Sequence, residues 1–356
     1  MKRSAFGKLL QRYDYKLPPD CIAALPATPR DSAKLMVYDR RSGCTTDTTF
    51  RDLPKFIPKG ALLVFNNTKV VPARLTLAKP TGGAVRVLFI DLAGKRLRVL
   101  ADRSINTGTI LSFNNRPIFR AYGREGNYLV LTSARRLNLK NFLERHGEAP
   151  LPPYIKNSPL TKKEQRRQYQ AVFAKTPGSI AAPTASLHFT PELLRVLSSG
   201  RGSASGGKKS GIETAFITLH VGLGTFAPLT PENLKTKSLH GEKYSIGKTT
   251  ARIINQAVRE KRPIIAVGTT ALRTLESSVD VRGVIKKLNG KTSLFIREGY
   301  RFRIADGLIT NFHVPRSSLL MLVSAFAGRK NVLKLYRRAI KKGYRFFSFG
   351  DGMLVL

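Results

Sequence analysis

Two hydrophobic periodicities share this chain. Between Phe65 and about Ser133 apolar residues alternate with polar ones in short runs: Val85, Val87 and Phe89 alternate with Ala84, Arg86 and Leu88, followed by RLRVLADR, GTILSF and, after the GREGN turn, YLVLT. Short strands at this spacing, separated by turn residues, predict a small antiparallel barrel or sandwich. Outside that span strands alternate with amphipathic helices. ETAFITLHV precedes a helical face at Ala251, Ile253, Ile254, Ala257 and Val258, and PIIAV runs directly into TTALRTLESSV. Thr190 and Pro191 open the helix PELLRVLSS, Ser317 or Ser318 caps LLMLVSAFA before Gly328, and Gly343 follows NVLKLYRRAIKK. FRIA followed by DGLITNFH predicts a strand pair turning at Asp306 and Gly307. The Ser- and Gly-rich stretch from Ser198 to Gly211 reads as a flexible loop. The expected architecture is therefore α/β with two domains: an α/β layered domain of residues 1–64 and 145–356, and an inserted small antiparallel β-barrel domain of residues 65–144.

Composition sharpens this. A chain of 356 residues with 42% hydrophobic content fills the cores of two ordinary domains. Its 62 Lys and Arg against 22 Asp and Glu leave a formal charge of +40, which attracts polyanions at long range: RNA, DNA or an anionic membrane. Cys21 and Cys44 are too few and too far apart for a disulfide framework or a zinc ribbon, which fits a reducing cytoplasm. No stretch approaches the roughly 20 apolar residues of a membrane span, and the basic start MKRSAFGKLLQRYDYKLP lacks an apolar signal region. The expected location is the cytoplasm, with no membrane partner.

Candidate chemistry gathers in polar turns that end apolar runs. His188 in PTASLHFTP, His220 in LHVGLGTF and His313 in TNFHVPRSS have that setting, and such turns place side chains at the open end of a sheet. No HxxH or HxH pair is present, so no metal is expected. Asn66, Asn67, Thr68, Lys69 and Arg74 follow ALLVF and offer amide and cationic donors to ring-edge acceptors or phosphate; a capped turn with a surface Arg explains them equally well. Gly268, Thr269 and Thr270 lie between a strand and a helix carrying Arg273 and Glu276, where free N–H groups suit a carboxylate or phosphate. Asp306, Glu242 and Asp351 are acids in basic surroundings, suited to hold a cation, to act as a base, or simply to pair a neighbouring Lys or Arg. GxxxxGK[ST], GxGxxG and a serine nucleophile elbow are absent, which removes the commonest nucleotide-binding and hydrolase classes. Residue chemistry alone ends at a basic two-domain enzyme or binding protein with a polar cleft.

Longer blocks go further. YDYKLP, RDSAKLMVYDR, LLVFNNTKVVPARL, PLPPYI, APTASLHFTPELL, TLHVGLGTF, AVGTTALRTLES, DGLITNFHVPRSSLLMLVSAFAG and YRFFSFGDGML, in this order, resemble the S-adenosylmethionine:tRNA ribosyltransferase-isomerase family of the queuosine pathway. The resemblance spans nearly the whole chain. It implies an α/β domain with an inserted β-barrel and transfer of the ribosyl part of S-adenosylmethionine to 7-aminomethyl-7-deazaguanine at the tRNA wobble position. The ribose is rearranged to an epoxycyclopentanediol, giving epoxyqueuosine, and adenine and methionine are released. S-Adenosylmethionine is then a consumed co-substrate; the implied enzyme needs no further cofactor and no metal, and is expected to work as a monomer.

On that reading His188, His220 and His313 are candidates for the base that removes a proton beside the sulfonium and for the group that serves the departing adenine. Asp306, Phe189, Phe226 or Phe312 would face the sulfonium, and the Gly268–Thr270 helix start, reinforced by Arg273, would take the methionine carboxylate. The matching blocks place Thr184, Gly222, Gly224, Thr225, Glu242, Asn311 and Arg316 among the expected substrate contacts as well. The chain departs from the family pattern at Asp47, where a His is common, and at Arg297 and Glu298, where Tyr and Pro are usual. LHGEKY keeps His240, Glu242 and Tyr244. The rival readings are an inactive basic RNA-binding protein of the same fold and an ordinary methyltransferase, whose Gly-rich loop is not found before Asn66.

Overall fold

The structure, a computed structural model, describes residues 5–133, 137–155, 158–199, 211–222 and 228–356. Its strands in chain order are β1 (Lys34–Tyr38), β2 (Thr45–Thr49), β3 (Leu62–Asn66), β4 (Thr68–Val70), β5 (Arg74–Ala78), β6 (Ala84–Phe89), β7 (Arg96–Ala101), β8 (Ile110–Phe113) and β9 (Arg116–Glu125). They continue with β10 (Tyr128–Ser133), β11 (Thr176–Ser179), β12 (Glu213–Leu219), β13 (Ser238–Ser245), β14 (Ile264–Val267), β15 (Asn289–Leu294), β16 (Gly307–Asn311) and β17 (Gly352–Val355). A nine-stranded sheet takes the order β15-β13-β12-β3-β14-β16-β17-β1-β2. Its centre, β12-β3-β14-β16, is parallel, while β17 runs antiparallel to β16 and parallel to β1.

The centre is parallel because its strands are apolar on both faces, as a sheet covered by helices on either side requires. Every residue of β3 and β14 is buried. Leu62, Val64 and Ala266 pack under the helices Lys248–Arg259, Thr269–Ser278, Ser318–Ala327 and Arg329–Lys341. Leu63, Phe65 and Val267 face Phe50, Leu53 and the helix Pro191–Ser199 on the other side. The helix ends follow their sequence signals: Thr190 Oγ1 accepts the Leu193 N–H at 3.1 Å, Ser317 Oγ accepts that of Leu320 at 3.2 Å, and Gly343 turns the chain at φ +65°.

The alternating segment closes into a six-stranded antiparallel barrel, β10-β7-β6-β5-β8-β9. Leu75, Leu77, Val85, Val87, Phe89 and Val99 fill its interior, and Thr76, Arg86 and Arg96 lie on its exposed surface. The chain enters and leaves side by side, since Arg74 and Glu148 exchange backbone hydrogen bonds of 3.2 and 2.8 Å. The small parallel pair β4–β11 lies beside this root.

Three sequence expectations meet a different arrangement. A boundary at residue 65 would cut β3, whose Phe65 and Asn66 stay in the large sheet; the barrel strands begin at Arg74. FRIA is not a strand and does not pair with β16: the buried Glu276 carboxylate accepts the N–H groups of Arg303, Ile304 and Ala305, which supplies the acceptors a neighbouring strand would have offered. Of the Ser198–Gly211 stretch, Ser198 and Ser199 finish the helix Pro191–Ser199, and residues 200–210 lie outside the described residues.

One buried amide joins the ends of the central strands. Asn66 Nδ2 donates to the Leu219 carbonyl at 3.0 Å and to Thr270 Oγ1 at 3.3 Å, and its Oδ1 accepts the N–H groups of Leu219 at 3.0 Å and Thr68 at 3.1 Å. Replacing it by Ala strands two buried N–H groups and one carbonyl, each costing about 1–3 kcal/mol. Asn66→Ala should therefore lose roughly 3–5 kcal/mol in urea unfolding, whereas Thr76→Ala on the outer barrel surface should stay within about 0.5 kcal/mol.

Candidate active site

Parallel strands present their carboxyl ends on one edge of the sheet, where ligands bind in open α/β folds. Here that edge carries Asn66 at the end of β3, Gly268 after β14 and Asn311 through His313 at the end of β16. A cavity of about 430 Å³ opens against the ends of β14 and β16. Its polar wall comprises Thr184, Thr269, Thr270, Thr310, Asn311 and His313, and Tyr154, Phe312 and Phe347 line its apolar part. Two helices begin there. Thr269–Ser278 starts behind Gly268, held at φ +92°, without a side-chain cap on its first N–H groups, and Ser318–Ala327 starts at Ser317. An uncapped helix start offers N–H donors and a positive dipole end to an anion.

The three histidines separate. His313 stands in the cavity wall, with Nδ1 3.3 Å from the Tyr336 hydroxyl and Nε2 3.4 Å from Thr310 Oγ1; its backbone N–H donates to Tyr336 and its carbonyl accepts the Tyr15 hydroxyl at 2.5 Å. Burial pushes its pKa down to about 3, so the ring is neutral at pH 7. His188 lies behind the wall and does not line the cavity. Its ring stacks on Phe50 at 4.1 Å, and Nε2 sits 3.2 Å from Asn311 Nδ2. Burial, then the positive Arg345 and Arg30, push it down to about 3. His220 is outside the cavity, half-buried beside Gly178, with Nδ1 2.9 Å from Thr68 Oγ1; burial and Lys243 lower its pKa.

Asn311 ties three segments together at the cavity. Its Oδ1 accepts from Thr184 Oγ1 at 3.0 Å, and its Nδ2 faces the carbonyls of Phe347 at 3.2 Å and Asp351 at 3.4 Å. Two carbonyls demand the NH₂ side of the amide, so His188 Nε2 is an acceptor and its proton sits on Nδ1.

The remaining expectations divide on the same geometric grounds. Asp306 precedes β16, at the opposite edge of the sheet from His313, and its Oδ2 accepts the Ile264 N–H at 2.9 Å; a strand of five residues puts it roughly 15–20 Å from the cavity. Phe189 is wholly buried edge-on against Phe65 at 4.9 Å and presents no face to the cavity. Arg273 is buried in an ion pair with Glu242, donates to the Leu294 carbonyl at 3.2 Å and does not reach the cavity wall; Glu242 also accepts the Gly222 N–H at 2.9 Å. Asn66 is structural, Asn67 accepts from Thr218 Oγ1 at 2.7 Å, and Lys69 is exposed elsewhere on the surface. Arg74 holds the Leu151 carbonyl at 2.8 Å in a second groove of about 1000 Å³, between the barrel and the segment Pro150–Pro153, which shares Pro153 and Pro228 with the cavity. Asp351 accepts the N–H groups of Lys34 and Arg345. Gly224, Thr225 and Phe226 lie outside the described residues. Among the described lining residues Arg316 is the one permanent charge, paired with Asp14.

Residue reasoning passed over Tyr154, Thr310, Phe347 and Ser348, all in the cavity wall. Tyr154 and Ser348 share a 2.6 Å hydrogen bond, and burial raises the tyrosine to about 12. The signal lay in PLPPYI and YRFFSFGDGML, blocks without a titrating residue of obvious chemistry. The departures from the family pattern lie outside the cavity wall. Asp47 pairs with Arg338 at 2.5 Å and accepts the Tyr344 hydroxyl at 2.9 Å; Glu298 gathers Arg12, Tyr13 and Arg329 at 3.1, 3.2 and 3.4 Å; Arg297 sits 5.9 Å over the Phe295 ring.

Two neutral buried histidines make stability depend on pH with a definite sign. Below about pH 6.5 the unfolded chain takes up protons that folded His188 and His313 refuse until about pH 3. Stability is lost as pH falls through that window, by up to about 1.4 kcal/mol per pH unit for each histidine. Urea midpoints measured from pH 7.5 to 5 should fall, and His188→Asn should flatten the decline.

The comparisons with known proteins bear on the chain as a whole. The family described as Queuosine biosynthesis protein matches residues 10–355. An S-adenosylmethionine:tRNA ribosyltransferase-isomerase from Moorella thermoacetica is 43% identical over 354 residues, covering 98% of this chain and 99% of its own length. One from Aquifex aeolicus is 42% identical over 354 residues with the same coverage. The crystal structure of S-adenosylmethionine tRNA ribosyltransferase from Thermotoga maritima, 33% identical, superposes with a TM-score of 0.54 over 97% of this chain and 100% of that one. With its sheet, its closed barrel and nearly its whole length matched, this chain belongs to the queuosine biosynthesis protein family.

Proposed function

We infer that this chain is an S-adenosylmethionine:tRNA ribosyltransferase-isomerase, in line with the names of its relatives. It transfers the ribosyl moiety of S-adenosylmethionine to 7-aminomethyl-7-deazaguanine at the tRNA wobble position and isomerises it, yielding epoxyqueuosine, adenine and methionine. We place it in the cytoplasm, as a monomer acting on two substrates without a metal or resident cofactor. No described helix is long and apolar enough to cross a membrane.

The observation that carries this reading is the composition of the cavity. Its wall comes from the TASLH, GTT, TNFHVPRSS and FFSFG blocks, and it combines an apolar aromatic part with an uncapped helix start. S-Adenosylmethionine makes the matching demands: a flat adenine, a sulfonium and a carboxylate. No Asp or Glu stands among the described lining residues, so the aromatic faces of Tyr154 and Phe347 are the groups for the sulfonium. The helix start at Thr269 and Thr270 takes the carboxylate. His313 is the histidine in contact with the cavity and is our candidate for the base that removes the proton beside the sulfonium. His188 packs behind the wall against Asn311, whose amide the Phe347 and Asp351 carbonyls orient, and is a positioning residue.

Purified protein incubated with S-adenosylmethionine and tRNA bearing 7-aminomethyl-7-deazaguanine should release adenine and form epoxyqueuosine, read by mass analysis of the nucleosides. His313→Ala should lower kcat by about 10²–10⁴-fold with tRNA binding intact, and His220→Ala should retain activity. Tight tRNA binding by the unaltered protein with no new nucleoside would instead establish the inactive RNA-binding reading.

A further inference from the structure

Resting on that function, we propose that Arg316 grips a backbone phosphate of the tRNA beside the wobble nucleotide, at the rim of the cavity. Arg316 is the permanent charge among the described lining residues, and its side chain is 58% exposed, so it faces what arrives from outside. Its backbone sits at φ +59°, a left-handed conformation unfavourable for a residue with a β-carbon and one that persists only where neighbours enforce it. They do so here. The Arg316 N–H donates to the Tyr13 carbonyl at 2.9 Å, Ser317 Oγ donates to the Val314 carbonyl at 2.7 Å, and the Tyr15 hydroxyl holds the His313 carbonyl at 2.5 Å. The loop that supplies His313 to the wall is thus the loop that aims Arg316 at the mouth.

Asp14 completes the arrangement. It lies between Tyr13 and Tyr15, both buried, so its carboxylate is held at the rim, where it receives one guanidinium nitrogen, Nη2. With 22 acids for 62 Lys and Arg, acids cannot match the cations one to one, and this exposed one has a carboxylate that orients it. A guanidinium offers five N–H donors in a planar fork, so the contact through Nη2 leaves an edge for a phosphate. The methionine carboxylate is the competing anion. The uncapped start of helix Thr269–Ser278 serves it from within the cavity, leaving the exposed rim to the polyanion.

The test is tRNA affinity as a function of salt for the unaltered protein, Arg316→Gln and Arg316→Lys, with the KM for S-adenosylmethionine, turnover and thermal midpoint measured on the same preparations. A lost phosphate contact lowers the slope of log affinity against log salt by about one. Over an about fourfold rise in salt, the unaltered protein should thus lose affinity about threefold more than Arg316→Gln. Arg316→Lys should recover the slope with weaker binding, and the KM for S-adenosylmethionine should not move. An unchanged slope in Arg316→Gln overturns the proposal: with a raised KM for S-adenosylmethionine Arg316 holds the methionine carboxylate, and with only a lowered thermal midpoint it merely builds the loop. Absence of epoxyqueuosine from the unaltered protein sinks the functional reading, whereas product formation with an unchanged slope sinks this inference alone.

Discussion

The Asn66 amide is the constraint on which the rest of the site depends. A parallel sheet brings its strand ends to one edge but leaves their last backbone groups without partners, because the chain must turn away there. A single side chain meets that need for β3 and β12 and reaches Thr270 on the helix that follows β14. The cavity wall inherits its shape from this junction. Asn311 repeats the device two strands away, joining the end of β16 to Thr184 and to the turn that carries Phe347 and Asp351. Two buried amides, each with its polar atoms engaged, hold a polar wall between apolar layers without exposing unpaired groups.

Much of the fold was legible because its signals are local. β3 and β14 announce strands covered on both faces through unbroken apolar runs, and the barrel announces itself through alternation, with Val85, Val87 and Phe89 pointing inward. Helix caps at Thr190 and Ser317 were visible for the same reason. FRIA was not legible: its backbone is satisfied by Glu276, which approaches from a helix in the core, and no window of sequence contains both partners.

The site was less legible than the fold. Asp306 and His313 flank the same strand and share one sequence block, yet the strand's direction sends one to each edge of the sheet. His188 has the polar neighbours of a catalytic residue, but Phe50 covers its ring and Asn311 occupies its Nε2. Conversely Tyr154 and Phe347 contribute shape rather than titration, and a search for acids and bases passes over them. The acids that depart from the family pattern act as staples in a basic chain: Asp47 draws Arg338 and Tyr344 to the edge strand β2, and Glu298 draws Arg12, Tyr13 and Arg329 together.

The strand order also has a consequence for how the protein is made. β17, the latest strand in the chain, lies between β16 and β1, and its register with β1 pairs Leu35 with Gly352 and Tyr38 with Val355. A ribosome therefore delivers β3 long before its partners β12 and β14, and β1 long before its partner β17, while the barrel, whose strands are contiguous in sequence, is complete much earlier. The order of synthesis thus lets the barrel close while the first apolar strands still wait, and the large sheet is complete only when its earliest and latest strands meet.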